Sequence, residues 1–326
     1  PWWRRGDLAL EHDLVEEVAR MYGYHKLPSV LPTGTLPVAS QPPQPPHSIF
    51  DREHRARELL ADIGVTEVMT YALTSHVAIE AAGYSADQCV ALENPLTTDL
   101  ALLRPSLIPT ILPVIAQNQE HAPKGLIFEL GNIFIPHAKH PAGLPREEMR
   151  LLISAYGRLM AGGHVEKLKG IVERLFAGLG IRDAEFRASE QCELPSGKCL
   201  FHPGRTMDVV IGGILAGVLG ELHPTVVESA HIDARVAVAE LDWSVLLKAC
   251  GSVRTPIASP SFPAVKRDLA IAVNRKLAYA DLATVLENFD PLLTHIELFD
   301  TYEGTGIALG KKSMAFHLTY SAPDRT

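Results

Sequence analysis

Four carboxylates near the start of the chain are the first residues whose spacing suggests chemistry. Asp7 precedes Asp13, Glu16 and Glu17, and the last three stand at i, i+3 and i+4, so one helix face gathers them. Oxygen-only clusters of this kind suit Mg²⁺, which accepts one or two carboxylates and keeps several waters. The same pattern has a plainer use, because acidic groups favour a helix N-terminus or form a solvated face. Cys192, Cys199 and His202 make a second set, but their spacing fits no zinc pattern and no fourth ligand accompanies them. Reduced thiols are the simpler reading. The third set is cationic: Lys266-Arg267, Arg275-Lys276 and Lys311-Lys312. Residues 256–326 hold seven Lys or Arg against eight Asp or Glu, so each pair is a local phosphate-binding patch or an ordinary solvated edge. Phe262, Tyr302 and Phe316 offer rings that stack on bases or fill the core face of a strand.

These groups need elements to hold them. With 326 residues the chain exceeds one ordinary domain, and 47% hydrophobic with 21% charged residues is the balance of a protein with a packed core. No apolar run reaches the roughly 18–20 residues of a membrane span. The four cysteines are too scattered for a disulfide framework, which points to a cytoplasmic setting. A formal charge of −8 removes whole-chain attraction to nucleic acid, so any such contact must be local. The opening Pro1-Trp-Trp-Arg-Arg lacks an initiator Met and an apolar leader core, and reads as the interior of a longer polypeptide.

Leu14, Val15, Val18, Met21 and Tyr22 recur at helical spacing and Gly23 stops them, so residues 1–30 form a short helical unit. Seven of the 24 prolines fall between Pro28 and Pro46, making residues 31–48 a semi-rigid linker. Ser48 and Asp51 then match a capping box, ahead of a helix with Ile49, Ala56, Leu59, Leu60 and Ile63 on one side. Residues 65–73 read as a strand. Ser106 caps a helix carrying Leu107, Ile108, Ile111, Leu112 and Ile115, which tolerates Pro109 early and loses a donor at Pro113. Apolar runs at 126–130, 151–156, 207–211, 214–219 and 236–241 surround a helix at about 165–179, so residues 49–250 suggest an α+β unit on a largely antiparallel sheet. From residue 256 come a strand (268–273), a helix (279–289) and two strands (295–302, 313–320). This is the opening of a ferredoxin-like fold, truncated before its second helix and last strand.

Several blocks follow one another along the chain. Arg5-Gly-Asp and Glu16-Glu-Val-Ala-Arg-Met-Tyr-Gly-Tyr come first, then Leu92-Glu-Asn-Pro-Leu, Leu103-Arg-Pro-Ser-Leu and Phe128-Glu-Leu-Gly-Asn-Ile-Phe. Phe201-His-Pro-Gly-Arg, Leu219-Gly-Glu-Leu-His-Pro, Phe262-Pro-Ala-Val-Lys-Arg-Asp-Leu and Leu298-Phe-Asp-Thr-Tyr-Glu-Gly complete the series. In this order they resemble the β subunit of bacterial phenylalanyl-tRNA synthetase across essentially the whole chain.

That resemblance implies an organisation. Residues 1–30 become the end of a small helical domain whose motif Asp-x5-Asp-x2-Glu-Glu, matched by Asp7, Asp13, Glu16 and Glu17, holds Mg²⁺ shared with the α subunit. Residues 49–250 become a non-catalytic relative of the class II synthetase core. Residues 256–326 become a truncated ferredoxin-like anticodon-binding domain, with Lys266, Arg267, Arg275, Lys276, Lys311 and Lys312 toward tRNA. The implied partners are the α subunit, in an (αβ)₂ heterotetramer, and tRNA(Phe), with no membrane. The whole enzyme attaches phenylalanine to tRNA using ATP, which binds only in α.

An active class II core grips ATP with a motif-2 and a motif-3 arginine, because charge builds on phosphate oxygens as pyrophosphate leaves. Here Phe128-Glu-Leu-Gly continues as Asn132-Ile-Phe-Ile-Pro, without arginine, and no Gly-x-Gly-x-Gly-x-x-Arg occurs. Gly304-Thr-Gly306 is the nearest echo, and Arg205 beside its Pro-Gly turn reads as structural. The expectation is a part without catalytic or editing site, inactive alone, that scaffolds α and contacts tRNA. A self-sufficient class II ligase with an appended anticodon module, and a scaffold without tRNA contact, are the competing readings.

Overall fold

The structure, a computed structural model, describes residues 2–4, 6–31, 33–34, 48–137, 143–158, 163–189, 194, 197, 199–251 and 262–322. Most of the proline-rich linker and Cys192 lie outside these residues. The chain divides into two compact units, Pro1–Ser252 and Val253–Thr326.

The first unit opens with helix α1 (Glu11–Tyr22), ended at Gly23, whose φ of 101° suits a residue without Cβ. Its periodic apolar residues are not buried: Leu14, Val15, Val18 and Met21 are all exposed. Helix α2 (Ile49–Asp62) starts at the expected capping box, with Asp51 donating its backbone N–H to Ser48 Oγ at 3.2 Å. Ala56, Leu59 and Leu60 are its buried side, whereas Ile49 is exposed. Strands β1 (Thr66–Glu67) and β2 (Leu73–Thr74), helix α3 (His76–Ala81), and strands β3 (Val90–Ala91) and β4 (Leu102–Leu103) follow. Residues 65–73 are thus not one strand. The chain leaves the ladder at Thr70, whose backbone N–H goes to the Glu129 carboxylate instead of to a neighbouring strand.

Helix α4 (Ile108–Asn118) leads into the long strands β5 (Lys124–Ile135) and β6 (Arg146–Gly157), then helix α5 (His164–Leu179). Strands β7 (Ala184–Ala188), β8 (Phe201–Ile211) and β9 (Ile214–Leu222), helix α6 (Pro224–Ser229), strand β10 (Arg235–Asp242) and helix α7 (Trp243–Ala249) complete the unit. Its seven-stranded sheet has the order β1-β5-β6-β10-β9-β8-β7. The β1–β5 pair is parallel and the other pairs are antiparallel. Strands β2, β4 and β3 make a separate small sheet.

Alternation along the strands supplies two apolar layers, because successive side chains point to opposite faces. Phe128, Leu151, Ile153, Ala237 and Ala239 pack with α2, α5 and α7 on one side. Ile127, Leu152, Tyr156, Val236 and Val238 pack with α4 and α6 on the other. The central sheet is covered on both faces.

The second unit carries β11 (Val265–Asn274), helix α8 (Tyr279–Glu287), β12 (Leu293–Tyr302) and β13 (Lys311–Tyr320). Its antiparallel sheet has the order β11-β13-β12. Met314, Phe316 and Leu318 are buried with Leu286 of α8 and packed by Leu269, Ile271, Val273, Ile296 and Leu298. The opposite face carries no helix among the described residues. The molecule is α+β, and no helix among the described residues is long and apolar enough to cross a membrane.

Candidate functional site: an open sheet face and a filled core

In the first unit several arginines pair with carboxylates of the same chain. Arg104 Nη1 donates to Glu129 Oε1 at 2.8 Å, and both side chains are 4% exposed. It makes further bonds, with Nε on the Asn132 carbonyl at 2.9 Å and Nη1 on Thr70 Oγ1 at 2.7 Å. Gly131 leaves the room: a Cβ there would stand 2.5 Å from Arg104 Nη2, so the Phe128-Glu-Leu-Gly block is shaped around the guanidinium. Two residues on from Arg104, Ser106 donates to the Glu240 carboxylate at 2.9 Å and Leu107 donates its backbone N–H to Glu240 Oε1 at 2.7 Å. Burial pushes the Glu240 carboxyl above its ordinary value, against these two hydrogen bonds. Glu129 and Glu240 both pair in register with Leu152. The 104–107 loop therefore latches onto two carboxylates in one row of the sheet.

Arg205 Nη1 lies 3.1 Å from each Glu221 carboxylate oxygen, and Arg235 Nε donates to the same carboxylate at 2.8 Å. Arg150 contacts Glu148 and Asp242. Each of these four guanidinium groups is paired with a carboxylate of the chain. A cleft of ≈ 680 Å³ beside α6 is lined by Glu120, Glu221, Glu228 and Asp233 with Arg235, a balance that disfavours polyphosphate.

Among the described residues the acidic quartet is not gathered into one metal-holding group. Asp13 Oδ2 accepts the backbone N–H groups of Ala9 at 2.9 Å and Leu10 at 2.7 Å, and these bonds hold its carboxyl below the usual carboxylate range. Glu17 faces Arg20 at 2.5 Å, and Glu16 is exposed. Asp7 lies upstream of the helix, in a turn. Among the described residues no three His, Cys, Asp or Glu side chains come together as a metal-holding group. The arrangement of Asp13 is that of a helix-start acceptor. Cys199 belongs to no metal-holding group among the described residues.

The second unit presents a different surface. Strands β11 and β13 pair Lys266 with Thr319, Asp268 with His317 and Asn274 with Lys311, all on the face away from α8. Strand β12 adds Glu297 opposite His317, Asp300 opposite Ala315 and Tyr302 opposite Ser313. A bulge between Leu298 and Asp300 turns Phe299 onto this face as well, where its ring stacks on His317 with centroids 4.0 Å apart. Tyr302 is 47% exposed, whereas Phe316 is fully buried. Of the candidate stacking rings, Phe316 is core and Tyr302 is surface.

The six cations fall into two groups. Lys266 and Arg267 sit near the start of β11; Arg275, Lys276, Lys311 and Lys312 gather at its far end, where Arg275 donates its backbone N–H to Gly310 O at 2.9 Å. Eight residue steps of strand put the groups roughly 27 Å apart. Lys312 Nζ donates to the Leu277 carbonyl at 2.8 Å, and Arg275 pairs with Glu303 at 3.1 Å. No partner engages the ammonium groups of Lys266, Lys276 and Lys311 among the described residues. Sequence spacing alone did not single out Phe299, Asp268 or His317; the Ser313–Leu318 alternation, which sends Phe316 in and His317 out, was the signal for the last.

Known proteins bear on both units. Residues 32–243 match the family model described as the phenylalanyl tRNA synthetase beta chain CLM domain, and residues 260–326 match the ferredoxin-fold anticodon binding domain. A phenylalanine–tRNA ligase beta subunit of Moorella thermoacetica is 36% identical over 99% of this chain and 40% of its own length. That of Symbiobacterium thermophilum is 36% identical over 99% of this chain and 36% of its own. The chain thus spans about two fifths of the relatives it matches. A pyrrolysyl tRNA synthetase structure from Desulfitobacterium hafniense covers 61% of this chain and 68% of its own, at 18% identity and a TM-score of 0.49.

Proposed function

The chain belongs to the phenylalanyl-tRNA synthetase β-subunit family, and on that footing we propose that it is a non-catalytic part of phenylalanine–tRNA ligase, scaffolding the α subunit and contacting tRNA(Phe). The observation that carries this reading is a contrast between two sheets. The central one is packed on both faces and its arginines are tied to in-chain carboxylates, whereas the C-terminal one keeps a polar, aromatic and cation-flanked face open. A filled core supplies shape and rigidity to a partner, and an open sheet face with exposed rings suits unpaired nucleotides.

In this reading residues 1–30, 31–48, 49–250 and 256–326 are the helical segment, linker, synthetase-like body and anticodon-binding part of a cytoplasmic (αβ)₂ enzyme. ATP binds in α, where adenylate formation and transfer take place. A Mg²⁺ drawn to Asp7, Asp13, Glu16 and Glu17 takes its remaining ligands from outside this chain, because the four do not close on one another here. Lys266, Arg267, Lys276 and Lys311 meet phosphates of the tRNA backbone, while Arg275 and Lys312 brace the far turn.

Two assays test the proposal. The purified chain gives no phenylalanine-dependent ATP–pyrophosphate exchange, and an α subunit co-purifies with the β polypeptide that carries it. Exchange catalysed by the chain alone overturns the non-catalytic reading. Failure to retain α overturns the scaffold.

A further inference from the structure

The cleft beside α6 has a wall that is fixed before anything enters it. Gln119, at the end of α4, donates Nε2 to the His231 carbonyl and accepts the Asp233 backbone N–H at Oε1, both at 2.8 Å. This clamp holds the turn between α6 and β10 in one shape, with His231 at a φ of 56° that a residue with a Cβ seldom adopts. The floor is apolar: Leu222, Val227, Ile232 and Val236 line it, and each is at most 9% exposed. A preformed cleft of ≈ 680 Å³ lies within the size range of ligand sites.

Its charge is one-sided. Glu221 is already matched by Arg205 and Arg235, which leaves the carboxylates of Glu120, Glu228 and Asp233 at the exposed rim. No hydrogen bond or ion pair engages these three carboxylates among the described residues. They come from the end of α4, from α6 and from the turn before β10, and they do not gather into a group that holds a metal ion. Separated carboxylates around an apolar floor match cations carried on an aliphatic body better than one compact ion. A Lys or Arg side chain has this form, laying its methylene stem on apolar surface and carrying its charged head to the edge.

We propose that the α6 cleft is a docking site for a protein segment in which basic residues alternate with apolar ones. Its cationic heads meet Glu120, Glu228 and Asp233, and its apolar side chains cover the floor. Charge complementarity selects the occupant: an acidic segment is repelled at the rim, and a basic segment without apolar residues leaves the floor bare. The inference goes beyond the tRNA reading, because it concerns the other unit and a ligand of opposite charge.

The test uses the full-length β polypeptide assembled with its α subunit. Its probe is a fluorescein-labelled peptide of alternating lysine and leucine, followed by fluorescence anisotropy. The lysine–leucine peptide binds, more weakly as salt rises. A glutamate–leucine peptide does not bind, and a lysine–serine peptide binds about tenfold more weakly. Glu228→Gln combined with Asp233→Asn weakens the lysine–leucine peptide about tenfold and flattens its salt dependence. Asp62→Asn, which removes an exposed carboxylate from α2, leaves binding unchanged. No binding by the assembled enzyme overturns the proposal. An equal loss on Asp62→Asn reduces it to general charge attraction, and equal binding of the lysine–serine peptide removes the floor from it. Displacement by spermidine at the same concentration overturns the commitment to a peptide.

Discussion

Arg104 and Glu129 form an ion pair of 2.8 Å in which each side chain keeps only 4% of its surface exposed. Two charges taken out of water are held only if their other valences are met. Here Thr70 donates its hydroxyl to Glu129 at 2.7 Å and the Asn132 carbonyl takes the Arg104 Nε proton. The pair closes the Leu103-Arg-Pro-Ser-Leu block onto the Phe128-Glu-Leu-Gly block. Removing one partner leaves the other charge buried and alone. Arg104→Ala is expected to cost about 3–5 kcal/mol of unfolding free energy. Arg104→Met combined with Glu129→Leu should cost much less than the sum of the single changes. Urea unfolding of the four proteins in the cycle measures this.

Glu240 supplies a pH signature of opposite sign to most carboxylates. Its pKa is raised by burial, so the folded state holds a proton that the unfolded chain has already released. Its contribution is fully present below the ordinary carboxylate value and declines as pH climbs through the raised one. Glu240→Gln keeps acceptors for Ser106 and Leu107 while abolishing the titration. The stability of this variant relative to wild type should therefore rise between pH 4 and pH 8. A difference that stays flat across that range would sink the assignment.

His164 acts in the other direction. Its Nε2–H is directed at the Gly157 carbonyl at 3.0 Å, its Nδ1 is buried without a partner, and desolvation followed by the Arg235 charge lowers its pKa. The unfolded imidazole takes up a proton before the folded one does, so stability is complete above the ordinary imidazole value of 6.5 and falls below it. His164→Gln should flatten thermal-melt midpoints between pH 7 and pH 5. A slope equal to that of wild type contradicts this.

Salt dependence distinguishes the cations. Lys266→Ala and Lys311→Ala, made in the assembled enzyme, should each weaken tRNA binding and lower the slope of log K against log salt by about one. Lys312→Ala, which loses the bond to the Leu277 carbonyl, should lower the melting temperature instead and leave the slope unchanged. Filter binding between low and moderate salt, beside thermal melts, reads both.

The central strands were legible as short unbroken apolar runs, and the longer helices as apolar repeats at 3.6. Runs 126–130, 151–156 and 236–241 lie inside β5, β6 and β10, and the helix near 165–179 is α5. What periodicity could not supply was which polar groups meet. Arg104 and Glu129 lie in separate blocks, and only the loop before α4 folding over β5 joins them. Residues 65–73 have the composition of one strand, yet Thr70 spends its N–H on a side chain and interrupts it. In α1 the helical period shows in the sequence, and the described residues leave its apolar stripe uncovered. Phe299 was equally hidden, because a bulge cannot be read from alternation.

The two groups of cations on the C-terminal sheet stand further apart than the roughly 8 Å over which salt at physiological strength lets charges feel one another. Neither can make good the loss of the other, and no lone nucleotide reaches both. In the proposed tRNA-contacting role the sheet would act as a gauge of length, with short oligonucleotides expected to anchor at one end only and avidity expected once a strand is long enough to bridge the distance.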